Sequence, residues 1–288
     1  MYEEVNRMFR RRLSLGWATF VWGSVAFIMA WTLFPIFWMV STSFKTNLDV
    51  FKMPPELWPS QPTLENYIGL ASGINPIPRF FFNSFITALL TVVLTTVLAV
   101  FAGYALSRLK FKFRDQILVS VLVTQMFPLV VMLAPLYLLY VKAYLLNTYL
   151  GMVIAFTSFA LPFGIWMIKG FIDSVPVEVE QAAMVDGCSR MQALRTVVLP
   201  LITPGIVATG IFAFLDAWNN LLFPLTLTNE IAMKTLPAGM VMAFSGQFKS
   251  DWSGMMAASF ITTLPVLIIF IFLQRYLVEG LTGGAVKG

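Results

Sequence analysis

Residues 178–200 read EVEQAAMVDGCSRMQALRTVVLP and lie between two long apolar runs. Two glutamates stand at the start of this stretch, where negative side chains favour the positive end of a helix. Gly187 can adopt the left-handed conformation that ends a helix, and Leu199-Pro200 then leads the chain back to apolar sequence. We predict a short helix-turn-helix, with Asp173 and Ser174 as its caps, that projects from a hydrophobic protein.

The apolar runs around this stretch indicate a membrane protein. Of 288 residues, 58% are hydrophobic and 11% are charged, whereas a soluble domain has about a quarter of its residues charged. Six runs are long enough to cross a bilayer as helices, which takes roughly 20 apolar residues. We therefore predict an all-α membrane protein with six transmembrane helices. The predicted spans are about 17–41, 81–107, 117–140, 149–170, 201–224 and 254–274. Interior prolines predict bends in the third and fifth spans, at Pro128, Pro135 and Pro204.

The distribution of basic residues predicts the orientation of these spans in the membrane. Placing both termini in the cytoplasm leaves 13 of the 19 Lys and Arg residues on that side, in agreement with the positive-inside rule. The predicted divisions are a cytoplasmic N-terminal segment (1–16), a membrane domain (17–288), outer loops (42–80 and 225–251) and a cytoplasmic loop (173–200).

The residue types also exclude several functions. The net charge of +5 follows from this topology, so we expect the lipid bilayer and no nucleic acid as a partner. The chain has no histidine and a single cysteine, Cys188, which excludes His-based catalysis, His metal ligation and an internal disulfide. No paired acids or nucleophile and base appear, so we do not expect an enzyme. The phosphate-binding pattern G-x-x-x-x-G-K-[ST] is absent as well, so ATP hydrolysis would need another subunit.

The predicted cytoplasmic helix has the composition of a docking element. Residues 177–187 contain three acids and no cation, whereas a helix lying on lipid favours an apolar face opposite cations. Ala182 and Ala183 would let another surface approach closely. A docking helix for a soluble partner is our interpretation, and an interfacial helix is the alternative.

The run EQAAMVDG…VVLP resembles the EAA loop of ABC importer permeases, whose pattern is E-A-A, three residues, G, nine residues, I-x-L-P. Gln181 stands in place of the first Glu, and Val197 in place of Ile. Three further stretches resemble the sugar branch of that family, the MalG-like permeases. They are GYALSRLKF at 103–111, LPFGIWMIKGF at 161–171 and FAFLDAWNNLLFPLTLT at 212–228.

This resemblance implies a type I ABC importer permease in the cell inner membrane, forming half of the pathway for a sugar such as maltose or trehalose. It implies four partners: a second permease subunit, two ABC ATPase subunits and an extracytoplasmic sugar-binding protein. ATP and Mg would be bound by the ATPases, with no cofactor in this chain. The residues expected to couple to the ATPase are Glu178, Gln181, Ala182, Ala183, Asp186, Gly187, Leu199 and Pro200. The alternatives are an ion-coupled secondary transporter and, within the same family, a glycerol-phosphate importer.

Polar side chains within the spans are candidates for the solute pathway, since such groups are costly in a bilayer unless they face a cavity or the bundle interior. The candidates are Asn83, Gln125, Asp216, Trp218 and Asn219. Amides and carboxylates beside an aromatic ring suit sugar recognition. Hydrogen bonding between helices is the alternative role.

Overall fold

The computed structural model describes the backbone of residues 15–71, 76–244 and 251–285, and the side chains of these residues from Gly16 to Gln274. The N-terminal segment predicted for residues 1–16 therefore lies almost entirely outside the described residues. The described residues are all-helical, which confirms the predicted secondary-structure class.

Twelve α-helices follow one another along the described residues, with short 3-10 helices at Asp49–Phe51, Thr124–Met126 and Ile231–Met233. The α-helices are numbered in chain order. They are α1 (Leu15–Ser43), α2 (Glu65–Ala71), α3 (Ile77–Arg108), α4 (Arg114–Val123), α5 (Leu129–Lys142), α6 (Tyr149–Ser174), α7 (Val177–Val185), α8 (Arg190–Leu201), α9 (Thr203–Asn219), α10 (Leu222–Leu227), α11 (Leu236–Phe244) and α12 (Trp252–Ala285). Helix α8 contains a π-helical turn at Leu194–Val198.

The chain divides into two compact units. The smaller unit contains the described residues up to Ile68 together with Asp251–Phe260. In it, polar residues order the chain just after α1: Asn66 donates through its amide to the main-chain oxygens of Ser43 and Lys45, at 2.7 and 2.8 Å. Asn47 donates to Asp251 Oδ1 at 2.8 Å.

The larger unit, which covers Gly69–Ser250 and continues from Ile261, is built on α3, α6 and α9. Small residues let these helices approach closely, as is common between membrane helices. A Cβ added at Gly103 of α3 would lie 2.9 Å from the Ile168 side chain of α6. A Cβ added at Gly205 of α9 would lie 2.3 Å from the Phe171 ring of α6. Any larger residue at either crossing would force the neighbouring side chain of α6 to shift.

The predicted spans are found in part. Four continuous helices are long and apolar enough to cross a membrane, and they are Gly16–Ser43, Ile77–Arg108, Tyr149–Ser174 and Trp252–Gln274. Two bent pairs bring the possible number to six. The pairs are Arg114–Met126 with Leu129–Lys142, bent by 98°, and Arg190–Leu201 with Thr203–Asn219, bent by 78°. The exact count of six spans and the cytoplasmic position of both termini stay predictions.

The bends predicted in the third and fifth spans are present, but not at every predicted proline. The third span breaks at Pro128, where Phe127 is extended with φ −73° and ψ 132°, because a residue before proline avoids the helical region. Helix α5 continues through Pro135, so that proline marks no break. The fifth predicted span begins after a break at Ile202, two residues before Pro204. It ends early, because Asn220 is extended and its side chain accepts a hydrogen bond from the main-chain N–H of Phe223 at 3.1 Å.

Candidate functional site

Helix α7 is the short helix that the opening stretch of sequence predicted, and its end has the predicted geometry. Gly187 has φ +97°, in the left-handed region. The N–H of Gly187 bonds to the oxygen of Met184 at 3.2 Å, and that of Cys188 to the oxygen of Ala183 at 3.0 Å. This pair of bonds is a Schellman motif, which satisfies carbonyls that the helix end leaves free.

The start of α7 differs from the prediction. Asp173 and Ser174 do not cap α7, because α6 extends through both of them to Ser174. The hydroxyl of Ser174 donates to the oxygen of Phe171 within α6 at 2.7 Å. The carboxylate of Asp173 instead accepts hydrogen bonds from Ser107 and Lys169, both at 2.6 Å. The prediction was wrong because the apolar pattern of α6 runs on into this polar sequence.

Most of the residues predicted to couple to an ATPase lie on the surface of α7 and the turn after it. Those exposed are Glu178, Gln181, Ala182, Asp186 and Gly187, and Ala183 is half-buried. In α8, Leu199 is half-buried and Pro200 is exposed. Helix α8 begins with a capping box, in which Ser189 and Gln192 bond to each other's main-chain N–H at 3.3 and 2.7 Å. The turn at Gly187 is thus fixed on both sides, and the exposed residues around it include the polar Asp186 and the apolar Val185, which is 86% exposed.

Sequence reasoning missed the most buried acid of this region, Glu180, which is only 3% exposed. Its Oε2 lies 2.9 Å from Nε of Arg108, at the end of α3, and its Oε1 accepts a hydrogen bond from the hydroxyl of Tyr104. A helix turns by about 100° per residue, so Glu178 and Glu180 point in very different directions. That spacing was the available signal that only one of the two faces outward.

Arg108 also bonds to the end of α6. Its Nη2 donates to the main-chain oxygens of Ile172 at 3.0 Å and Val175 at 2.7 Å. The last carbonyls of a helix have no partner within it, so the guanidinium satisfies groups that would otherwise be unpaired. One side chain therefore joins α3, the end of α6 and α7.

Two of the predicted pathway residues lie together. Asp216 and Asn219 of α9 line a shallow concavity of about 370 Å³ with Phe212, Leu215 and Asn220. The Oδ2 atom of Asp216 is buried and accepts no hydrogen bond from the described residues. The side-chain amide of Asn219 donates to the oxygen of Leu215 at 2.9 Å, which leaves its Oδ1 atom as an acceptor without a bond in the described part of the chain.

The other three predicted pathway residues have different surroundings. Trp218 is 3% exposed and packs against Phe81 and Phe214, each with ring centroids 5.4 Å away. Gln125 lies at the break before Pro128 and donates to the oxygen of Phe159 at 2.6 Å. Neither residue lines the concavity at Asp216.

Asn83 is fully buried, and its amide is saturated by the protein. It donates to the oxygens of Ala232 and Lys234, each at 2.8 Å, and its Oδ1 accepts from the hydroxyl of Tyr149 at 2.7 Å. Direct contact between Asn83 and a solute stays a prediction to which this geometry lends no support.

Comparison with known proteins gives matches over most of the chain. Residues 95–283 match the family model described as "Binding-protein-dependent transport system inner membrane component". The sulfoquinovosyl glycerol transport system permease protein SmoH of Agrobacterium fabrum is 39% identical, over 89% of each chain. The diacetylchitobiose uptake system permease protein DasC of Streptomyces coelicolor is 37% identical, over 93% of this chain and 97% of its own.

A third relative and one solved structure extend the comparison. The trehalose/maltose transport system permease protein MalG of Thermococcus litoralis is 34% identical, over 89% of this chain and 92% of its own. The crystal structure of a bacterial ABC transporter involved in the import of the acidic polysaccharide alginate contains a chain with the same fold. It superposes with a TM-score of 0.75 at 20% identity, covering 90% of this chain and 97% of that one.

Proposed function

Because the chain belongs to the family of binding-protein-dependent transport system inner membrane components, we propose that it is the permease subunit of a sugar-importing ABC transporter. It forms half of the translocation pathway and couples transport to ATP hydrolysis in a separate subunit. The observation that carries this proposal is the exposed helix α7, which follows the apolar helix α6 and ends at a left-handed Gly187. An exposed helix of this kind, with both acidic and apolar side chains on its surface, offers a soluble ATPase a defined surface to bind.

The names of the relatives support a glycoside or oligosaccharide as the solute. Two are transport proteins for diacetylchitobiose and for trehalose and maltose, and a third is for sulfoquinovosyl glycerol. A di- or oligosaccharide is the substrate class that we propose. A small glycerol-containing solute, such as glycerol phosphate, is the second candidate, and the glycerol glycoside named for SmoH favours it.

The transporter that we propose contains a second permease subunit, two ABC ATPase subunits and an extracytoplasmic sugar-binding protein. The ATPases bind ATP and Mg, and this chain is a non-catalytic subunit. Within it, the contact surface for an ATPase is formed by α7 and the turn that follows. The exposed acids Glu178 and Asp186 would suit basic side chains on the partner, while Ala182 leaves room for close contact.

The concavity on α9 is the part of this chain that we propose to contact the solute. Asp216 and Asn219 supply oxygen atoms that accept hydrogen bonds, and sugar hydroxyls donate them. One aromatic and one aliphatic side chain, Phe212 and Leu215, lie beside these oxygens and match the apolar face of a sugar ring.

Uptake into proteoliposomes tests the proposed function. The complete transporter is reconstituted with its binding protein, and entry of labelled maltose, trehalose and diacetylchitobiose is measured with and without Mg-ATP at the ATPase side. We expect uptake of at least one sugar that requires both ATP and the binding protein. An ion-coupled secondary transporter is the alternative, and the unpaired carboxylate of Asp216 is the observation in its favour. Uptake that stops when ion gradients are collapsed in the presence of ATP would support that alternative and contradict our proposal.

A further inference from the structure

The two sides of α7 have very different surroundings. Near its start, the side chains of Glu180 and Arg108 form a buried ion pair, only 4% and 7% exposed. At its end, Gly187 is exposed and a Cβ added there would meet nothing within 4 Å. The helix is thus fixed on the side facing its own subunit and open on the side where a partner would bind.

On the side facing its own subunit, α7 is joined to α3 and to the end of α6 through a few polar atoms. Arg108 bonds to Glu180 of α7 and to two carbonyls at the end of α6. Tyr104, one helical turn before Arg108 in α3, donates its hydroxyl to the same carboxylate. Tyr104, Arg108 and Glu180 are named here the α7 anchor.

The main chain alone gives a weaker connection between α6 and α7. Between Ser174 and Val177 lie only Val175 and Pro176, both in extended conformations with ψ 123° and 132°. Such a linker lets α7 pivot, because a few residues at the end of an element can absorb large dihedral changes. A pivot of α7 would separate Glu180 from Arg108, and this is unfavourable because it leaves an uncompensated buried charge.

We propose that Tyr104, Arg108 and Glu180 are positioning residues for energy coupling, which make α7, the end of α6 and the end of α3 move as one body. A displacement of the exposed face of α7 by an ATPase then reaches the membrane helix α3 through the buried carboxylate of Glu180. This inference rests on the proposed function, because it takes an ATPase as the partner of α7. The motif residues at 181–187 form the contact surface, and the α7 anchor lies behind it.

The first experiment measures how firmly the α7 anchor holds α7, and it does not depend on transport activity. Cys188 is the single cysteine of the chain and directly follows Gly187, so a nitroxide spin label placed there reports the mobility of the turn after α7. The complete transporter, assembled with partner subunits whose cysteines are replaced, is labelled without nucleotide in the wild type, in Glu180→Gln and in Asp115→Asn. Asp115 is an acid whose side chain is 76% exposed and which lies outside the anchor.

We expect the mobile component of the spin-label spectrum to grow in Glu180→Gln and to stay as in the wild type in Asp115→Asn. Tyr104→Phe removes a single hydroxyl and should give a smaller change in the same direction. This variant keeps the test decisive if Glu180→Gln fails to assemble. Unchanged mobility in both anchor variants would overturn the inference.

The second experiment measures sugar molecules taken up per ATP hydrolysed. A coupling free energy between two sites commonly corresponds to about 5–150-fold, so we expect this ratio to fall at least ~5-fold in Glu180→Gln while ATP hydrolysis continues. Glu180→Asp keeps the charge and should restore part of the ratio. A merely structural role would lower uptake and hydrolysis together, in proportion to the amount of assembled transporter.

The outcomes separate this inference from the proposed function. A wild-type transporter without ATP-dependent uptake would contradict the proposed function, while the spin-label result would still test the anchor. An unchanged ratio in Glu180→Gln, with increased mobility at Cys188, would mean that the anchor holds α7 without serving coupling, and would overturn the inference.

Discussion

Asn83 donates a hydrogen bond of 2.8 Å to the main-chain oxygen of Lys234, although 151 residues separate the two in sequence. A second bond from the same amide, also of 2.8 Å, reaches the oxygen of Ala232. These bonds hold the chain before α11 against the start of α3. A buried asparagine at the start of a membrane helix here stabilises the fold of a loop, whereas the alternative role that the sequence left open was hydrogen bonding between helices.

Replacing Asn83 with Ala should destabilise the protein. Each buried polar group left unpaired costs about 1–3 kcal/mol, and two carbonyls and the hydroxyl of Tyr149 would lose their partner. We expect a lower free energy of unfolding and a lower thermal midpoint, measured on the purified transporter in detergent. Asn229→Ala is the matched control, because Asn229 is exposed in the same segment before α11. An unchanged midpoint with an impaired sugar KM would instead indicate that Asn83 contacts the solute.

Gly205 and Gly210 of α9 form a matched pair for testing how closely helices approach. A Cβ at Gly205 would lie 2.3 Å from the Phe171 ring, whereas one at Gly210 would lie 3.4 Å from Val92, an ordinary contact. Overpacking typically costs about 1–3 kcal/mol. We expect Gly205→Ala to lower the thermal midpoint by several degrees and Gly210→Ala to have little effect.

The same pair can be checked from the other side of the contact. In the double variant Gly205→Ala with Phe171→Leu, the aromatic ring is replaced by a smaller side chain. This replacement should recover part of the lost stability. Equal stability of Gly205→Ala and Gly210→Ala would contradict the close crossing of α6 and α9.

At Gly187, asparagine should be tolerated better than other substitutions. The position has room for a side chain but a φ of +97°, and the left-handed region costs an ordinary L-residue roughly 1–2 kcal/mol. Asparagine enters that region more easily than most residues. We expect ATP-driven uptake to fall in the order Gly, Asn, Ala, Val, with the subunit still inserted in the membrane.

Gly170→Val is the control for this series, because a Cβ there also meets nothing within 4 Å but the residue lies inside helix α6. It should retain its uptake. Normal uptake in Gly187→Val would refute the role assigned to the turn after α7.

Asp216 tests the proposed contact with the solute. Asp216→Asn keeps the shape of the side chain and removes its charge. A hydrogen bond to a charged group contributes about 1.5–3 kcal/mol, and every 1.4 kcal/mol corresponds to about tenfold in affinity. We expect the KM of uptake to rise about 10–100-fold, with the thermal midpoint unchanged or raised, since a buried unpaired carboxylate is costly.

Asp115→Asn serves as the control for loss of one negative charge, and its KM should equal that of the wild type. An unchanged KM in Asp216→Asn would place the solute contacts elsewhere, in the partner permease or on other residues of this chain.

The sequence predicted the features that depend on neighbouring residues. Apolar runs gave helices, and Gly187 took the left-handed conformation expected of it. The resemblance to ABC importer permeases, based on the run at 178–200, is confirmed by relatives of 34–39% identity over most of the chain. Patterns of this kind are local, because the spacing of apolar residues and the residue at a helix end can both be read from neighbouring positions.

The bends were harder to predict, because proline has more than one outcome in a helix. Pro128 begins a new helix, while Pro135 stays inside one. Both lack an N–H donor, so the difference is set by how each segment packs and not by the residue itself.

Glu180 shows most clearly what the sequence alone could not predict. By itself the sequence determined an apolar, helical chain with a polar helix-turn-helix that ends at Gly187. Only the tertiary structure decided which acid of that helix faces inward, since this depends on Arg108, 72 residues away. A buried charge needs a partner with matching geometry, and such a partner becomes known only when α3, α6 and α7 are packed together.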